Sequence, residues 1–477
     1  MFTEQLIDRI KHNFGLTPTA GQTEVMRVFA QFVSAPQPMS VMLLRGSAGT
    51  GKTTLTAAIV RTVLSLGRKV VLMAPTGRAA KVMAMNAGRP AHTIHRKIYR
   101  QRTFGGGFDL NDNLYNDTLF VVDESSMIAN DGLAQAIFGS GHLLDDLVQY
   151  VYCGRNCRMM LIGDTAQLPP VGEMESPALS ADFMRGYGLD VYEANLDEVL
   201  RQSALSGILF NATIVRQMIT HDELTQLPRI TFRGFADIMS VPGDELIERL
   251  ASSYSEVGRD ETMVVTRSNK RANIYNQGIR NMVLGCEDML CSSDMLMVVR
   301  NNYFWTEQDK QAPLSFIANG DRVMVRRVRN HHELYGLHFA DLTISFPDYD
   351  GYEITVPAIT DSLMSEAPAL TAEQNQMLYD GVMADYADIR TKRDRVDKVK
   401  HDPHFNALQI KFAYAVTCHK AQGGQWSHVY VDQGYMTDDM LTPDYIHWLY
   451  TAFTRATDRL YLVNWPRQQT ATTNNEE

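Results

Sequence analysis

Residues 46–53 read Gly46-Ser47-Ala48-Gly49-Thr50-Gly51-Lys52-Thr53 and fill the pattern G-x-x-x-x-G-K-[ST]. An apolar run, Val41-Met42-Leu43-Leu44, leads in, and a helix-compatible run, Thr54 to Val60, leads out. That strand–loop–helix context separates a phosphate-binding loop from a chance Gly-rich turn. The glycines let backbone N–H groups turn toward an anion, and the following helix directs its positive end to the same place. Gly46, Ala48, Gly49, Thr50, Gly51, Lys52, Thr53 and Thr54 are the expected nucleotide cradle. Lys52 has the reach for the β- and γ-phosphates, and the Thr53 hydroxyl suits Mg²⁺. A chain built around this loop is expected to be α/β and to bind a nucleoside triphosphate.

Further apolar runs end in polar residues in the same way. Lys69 to Ala74 is followed by a helix-compatible stretch from Gly77. Thr118 to Val122 ends in Asp123-Glu124, and Arg158 to Ile162 ends in Gly163-Asp164. A second set comprises Thr262 to Thr266, Tyr414 to Thr417, Val429 to Asp432 and Leu460 to Val463. Continuous apolar runs of this length suit strands buried on both faces of a parallel sheet. Open sheets of this kind place ligands at the carboxyl ends of their strands. Asp123 is then the expected second Mg²⁺ contact, and Glu124 the group that orients and deprotonates a water. Gln167, in Gly163 to Val171, is an uncharged donor and acceptor suited to sensing a γ-phosphate.

The 477 residues suffice for about three domains. No apolar run approaches the ~20 residues of a membrane helix, and Met1 to Gln5 lacks a secretory layout. The 5 cysteines make no disulfide framework and point to a reducing, cytoplasmic setting. Net charge is −10, yet Lys52 to Phe108 contains no Asp or Glu while carrying a run of Lys, Arg and His. A one-signed block of this kind can bind phosphates on an acidic protein.

Read together, these segments resemble the superfamily 1 helicases of the RecD-like branch. Gln22, in Leu16 to Gln22, is similar to the family's adenine-reading glutamine. Ala74-Pro75-Thr76-Gly77-Arg78-Ala79-Ala80-Lys81 and Thr93-Ile94-His95 resemble motifs that touch single-stranded DNA. Leu200-Arg201-Gln202-Ser203 resembles the motif whose arginine reaches the γ-phosphate from the second domain. Val416 to Gly423 resembles the one that couples strand and nucleotide. Tyr450-Thr451-Ala452-Phe453-Thr454-Arg455-Ala456 resembles the last motif, with Arg455 as an arginine finger. The family often has Ser where this chain has Ala421.

The resemblance implies two RecA-like parallel-sheet domains with a small hairpin insertion and a larger β-rich insertion. The first motor domain is expected at 1–98 and 118–199, with a pin at 99–117. The second is expected at 200–300 and 408–466. An SH3-like accessory insertion with a helical end is expected at 301–407, and a disordered tail at 467–477. Catalytic roles fall on Lys52, Glu124, Gln167, Arg201 and Arg455. Gln22, Gln422 and Gly423 join the P-loop in holding ATP, and Thr53 and Asp123 hold Mg²⁺. Pro75, Thr76, Arg78, Thr93, His95, Thr417, His419 and Lys420 contact the strand. Tyr99, Phe104 and Phe108 are wedge candidates, since an aromatic face stacks on a base pair. Arg322, Arg326, Arg327 and Arg329 are further phosphate contacts. The expected activity is an ATP-dependent 5′-to-3′ DNA helicase, acting as a monomer on single-stranded and forked DNA. The expected setting is replication, recombination or repair, with partner proteins from those processes and no membrane. An RNA-directed helicase, or a P-loop switch gating a protein partner, remain alternatives.

Overall fold

The computed structural model describes residues 2–101, 108–130, 139–198, 205–221, 226–307, 312–314 and 316–471. The first lobe is a sheet built from β1 (Ser40–Gly46), β2 (Lys69–Ala74), β3 (Ala91–Thr93), β6 (Thr118–Val122), β7 (Arg158–Gly163) and β8 (Asp190–Leu196). A short antiparallel hairpin, β4 (Tyr99–Gln101) and β5 (Phe108–Leu110), interrupts it between β3 and β6. The 6-stranded order is β3-β2-β6-β7-β1-β8, with every neighbour parallel.

Alternation along each strand explains why the sheet is buried on both faces. Val41 and Leu43 join one core with Phe120, Val122, Met159 and Leu161. Met42 and Leu44 join the opposite core with Leu119, Val121, Met160 and Ile162. Helices Phe2–Phe14, Ala20–Ser34 and Lys52–Ser65 cover this second face.

The second lobe starts with β9 (Ile238–Val241) and β10 (Thr262–Thr266). The chain then leaves for a closed barrel: β11 (Met295–Val298), β12 (Arg322–Leu334), β13 (Leu337–Phe346), β14 (Tyr352–Ile359) and β15 (Leu408–Phe412). It returns as β16 (Ala415–Thr417), β17 (Trp426–Asp432) and β18 (Ala456–Val463). The 5-stranded order is β16-β10-β17-β18-β9, again parallel throughout.

Several expected boundaries shift. The barrel uses β11 and β15, which lie outside 301–407, because a barrel closes only when its first and last strands pair. The helical end is two helices, Ala372–Asp385 and Lys392–Lys400, each started by a threonine cap, Thr371 and Thr391. The tail is ordered through Ala471. The Ile230 N–H donates to the Gln469 carbonyl, the Ala471 N–H donates to the Ile230 carbonyl, and the Trp465 indole donates to the Gln469 carbonyl at 3.0 Å. Residues 472–477 lie outside the described residues.

A buried ion pair fastens the barrel to the second lobe. The Arg280 guanidinium meets both Asp294 carboxylate oxygens at 3.0 Å, and the Tyr414 hydroxyl donates to Oδ1 at 2.8 Å. Arg280 also lies 4.3 Å from the Phe412 ring centroid. Removing one partner strands the other charge in the interior. Asp294→Ala is expected to destabilise the chain by about 3–5 kcal/mol in chemical denaturation. Asp294→Asn keeps an acceptor but leaves the guanidinium equally uncompensated, so most of that loss should remain.

Candidate functional site

Parallel register sets the carboxyl ends of β1, β6 and β7 side by side. Arg45 faces Gly163, Val122 faces Leu161, and the Asp123 N–H donates to the Met73 carbonyl at 3.0 Å. The P-loop, Asp123-Glu124 and the 164–168 loop therefore share one edge. Gly51 sits at φ 81°, where a side chain is strained, and the helix starts at Lys52. A Cβ on Gly46 would fall 2.9 Å from the Leu196 Cβ, so β8 packs directly on the loop. The Lys52 ammonium arches back to the Gly46 and Ser47 carbonyls at 2.5 and 2.7 Å. Thr53 and Thr54 face solvent at the helix start.

Gln22 is buried and supports the loop from beneath. Its amide nitrogen donates to the Thr50 carbonyl at 3.1 Å, and its amide oxygen closes a capping box with Thr19. In this arrangement both ends of the amide serve the P-loop and its supporting helix.

Glu124 adopts φ 52°, a left-handed conformation unusual for a non-glycine residue. The turn brings its N–H to the Asp123 carboxylate at 2.9 Å. Burial first, and the neighbouring Glu124 charge second, push the Asp123 carboxyl up to about 6, with Lys52 opposing. The Asp123 and Thr53 oxygens fit a hard divalent cation, which takes few protein ligands and completes its shell with phosphates and water. Among the described residues no group of three or more His, Cys, Asp or Glu is placed to hold a metal ion.

The second lobe closes this edge from above. The helix Pro443–Phe453 presents His447, Tyr450 and Thr451 on one face. The His447 ring lies 2.9 Å from the Ala166 carbonyl, and the Thr451 hydroxyl accepts from the Leu168 N–H at 2.7 Å. Gln422 donates to the Leu168 carbonyl at 2.6 Å, and Gly423, at φ 71°, packs over Thr76. Tyr450 accepts from the Ala48 N–H at 3.0 Å and donates to Asp164 at 2.5 Å. Arg216, on the helix Gly207–Thr220, donates to the Ser47 hydroxyl at 2.7 Å. Gln167 is buried, and its Oε1 has no hydrogen-bond partner among the described residues.

Arg455 is 1% exposed and sits just past the helix that docks on the 164–168 loop. Its guanidinium donates to the Thr451 and Gly424 carbonyls and the Thr454 hydroxyl, all within the second lobe. Arg201 lies outside the described residues, as does Phe104.

A cleft of about 1220 Å³ runs beside the seam. Pro75, Thr76, Arg78, Thr93 and His95 line it from the first lobe, and Thr417, His419 and Lys420 line it from the second. Arg322, Phe316 and Tyr349 complete it from the barrel side. Thr76 and Thr93 are also helix caps, which explains why these turns follow β2 and β3 so closely. Burial pushes His95 down to about 4 and also lowers His419, so both rings are neutral near pH 7. Positive charge in the cleft therefore comes from Arg and Lys. Arg78 lies 4.6 Å and Arg322 5.8 Å from the Trp426 ring centroid.

Two wedge candidates need correction. Tyr99 and Phe108 are 7% and 8% exposed and lie in the paired strands of the hairpin, Tyr99 opposite Leu110 at its base and Phe108 opposite Gln101 at the loop end. The Tyr99 hydroxyl donates to Asp146 at 2.7 Å, and Phe108 packs 4.6 Å from Tyr303. A ring buried on both faces offers none to a base pair. Sequence reading also missed Tyr450, Thr451 and His447, which lie in or beside a motif read only for its arginine. Arg216 and Trp426 carried no signal at all.

Two family models match the chain: the AAA domain over residues 18–209 and the UvrD-like helicase C-terminal domain over 412–463. The ATP-dependent RecD2 DNA helicase of Deinococcus radiodurans is 38% identical over 132 residues, which is 28% of this chain and 16% of that protein. The ATP-dependent DNA helicase dda of Enterobacteria phage T4 is 25% identical over 409 residues, covering 80% of this chain and 84% of that one. The Bacteroides Pif1 helicase solved with ADP-AlF3 and ssDNA is 15% identical, with 96% of this chain and 95% of that chain covered and a TM-score of 0.47.

Asp123 generates a prediction for the nucleotide-free chain. Its folded carboxyl titrates near 6, above the ordinary 3.8, so between those values the folded chain holds a proton that the unfolded chain has released. The group therefore disfavours folding increasingly as pH rises through that window. Asp123→Asn is expected to raise the melting temperature at pH 7, with the gain vanishing toward pH 4, as thermal unfolding at several pH values will show.

Proposed function

We infer that this chain, a member of the superfamily 1 helicases of the RecD/Dda type, is an ATP-dependent DNA helicase that moves 5′ to 3′ on single-stranded DNA. The observation that carries this reading is a juxtaposition. Residues suited to a triphosphate gather at a seam between two parallel sheets, and residues suited to a strand line one cleft bordered by the same two sheets.

The roles follow from the chemistry. The P-loop amides and Lys52 hold the β- and γ-phosphates. Thr53 and Asp123 would hold Mg²⁺, which neutralises charge on the phosphates when bound. Glu124 orients water and takes its proton, and Gln167 senses the γ-phosphate. Arg201 would supply permanent positive charge to the phosphates, and Arg455 would do so only on leaving its bonds to Thr451, Gly424 and Thr454; such arginines are worth ~10³–10⁵ in rate in other NTPases. Hydrolysis removes the bridging phosphate and loosens the seam. Alternate closing and opening, with Thr76, Arg78, Thr93 and His95 gripping on one side and Thr417, His419 and Lys420 on the other, moves the chain along the strand. Gln22 would read an adenine ring only on releasing one of its bonds to Thr50 and Thr19.

The deciding experiment is unwinding of forked DNA carrying a 5′ or a 3′ tail, with and without ATP. Unwinding of the 5′-tailed fork alone is the expected result. Preference for matched RNA would support the RNA-directed alternative, and hydrolysis indifferent to any strand would support a protein-gating switch. Lys52→Ala is expected to abolish strand-stimulated hydrolysis while leaving strand binding largely intact.

Lys420→Ala should weaken binding to all single strands alike and reduce the slope of log affinity against log salt by about 0.7, as loss of one phosphate contact on a single strand does. Fluorescence anisotropy at several salt concentrations measures it.

A further inference from the structure

One buried tyrosine touches both halves of the hydrolytic edge, and no role above has been given to it. The Tyr450 hydroxyl accepts from the Ala48 N–H of the P-loop at 3.0 Å and donates to Asp164 Oδ2 at 2.5 Å. The other Asp164 oxygen accepts from the Ala166 N–H at 3.0 Å, and the Gln167 N–H donates to the Asp164 carbonyl at 3.2 Å. The path from Tyr450 to the Gln167 backbone is thus a single tight turn.

The residue is 1% exposed, and burial with the Asp164 charge pushes its phenol well above the ordinary value, so it remains a neutral donor. Gln167 itself is 7% exposed and keeps an acceptor, Oε1, without a partner among the described residues. A buried acceptor left open is rare and marks a place where a proton-bearing group is expected. Neighbouring contacts hold the rest of the loop to the same lobe: Thr451 and Gln422 to Leu168, and His447 to Ala166. Parting of the lobes would release them together.

We propose that Tyr450 is a positioning residue for hydrolysis: its hydroxyl ties the P-loop to the 164–168 loop and holds Gln167 in place only while the two lobes are closed. This rests on the reading that the seam hydrolyses ATP. It extends that reading by naming the group through which closure of the second lobe reaches the first. No new bond chemistry is involved; the hydroxyl acts by holding geometry, and a small displacement of a sensing group is costly in rate.

Tyr450→Phe removes one oxygen and keeps the ring. Steady-state ATP hydrolysis by the full chain, with and without an oligo-dT strand, gives kcat and KM. The expected result is a fall in kcat of about tenfold or more with KM changed less than about threefold. Asp164→Asn should give the same split, and the double variant should be no worse than either single one. Retained kcat in Tyr450→Phe, a loss shared equally with KM, or additive losses in the double variant would overturn the proposal. If Tyr450→Phe does not fold, as its melting curve will reveal, the Asp164→Asn split decides alone. Wild-type hydrolysis that no strand stimulates overturns the helicase reading while the kcat comparison still stands. A wild type without any hydrolysis overturns both.

Discussion

Parallel strands in register are the constraint on which the remainder of this molecule depends. The loop that follows each strand emerges at the same edge of a parallel sheet, so residues far apart in the chain become neighbours there. Here the pairing of Arg45 with Gly163 and of Val122 with Leu161 aligns the P-loop, the acid pair and the 164–168 loop. The alignment holds because alternate residues of β1, β6 and β7 enter two separate apolar cores. A slip of one residue would exchange the two faces and misplace all three loops at once.

Two kinds of junction join the three bodies. The barrel and second lobe share the buried Arg280–Asp294 pair and the Tyr414 bond, an arrangement expensive to break. The lobes meet through hydrogen bonds that Tyr450 and Gln422 donate to Asp164 and the Leu168 carbonyl, that Thr451 accepts from the Leu168 N–H, that join His447 to the Ala166 carbonyl, and that Arg216 donates to the Ser47 hydroxyl. Each such bond contributes modestly, because water replaces it on opening. A seam of this composition is directional when shut and inexpensive to part, as a closing and opening cycle demands.

Local features that act through backbone geometry were readable from the chain. The P-loop needs glycines, buried strands need apolar runs, and Thr76, Thr93 and Thr417 stand before helices. Features set by long-range pairing were not. β3, β8 and β9 lack a continuous apolar signature because they are short or lie at sheet edges. The barrel begins at Met295 and ends at Phe412 because those strands pair with each other, across more than a hundred residues. Tyr99 and Phe108 were wedge candidates because they fall where the resemblance places a pin and an aromatic face can stack on a base pair, yet both rings are buried in the paired strands.

The amino-acid order by itself determined the glycine-rich loop with its apolar flanks, the Asp123-Glu124 pair and the two α/β units. These follow from residue type and spacing over a few positions. Tertiary structure alone decided that Tyr450 reaches the P-loop, that Arg216 touches Ser47, that Arg455 bonds within its own lobe, and that two arginines lie against Trp426. Such contacts depend on how two sheets and a barrel are set against one another. That arrangement is written in packing across the whole chain, and no short window of it carries the information.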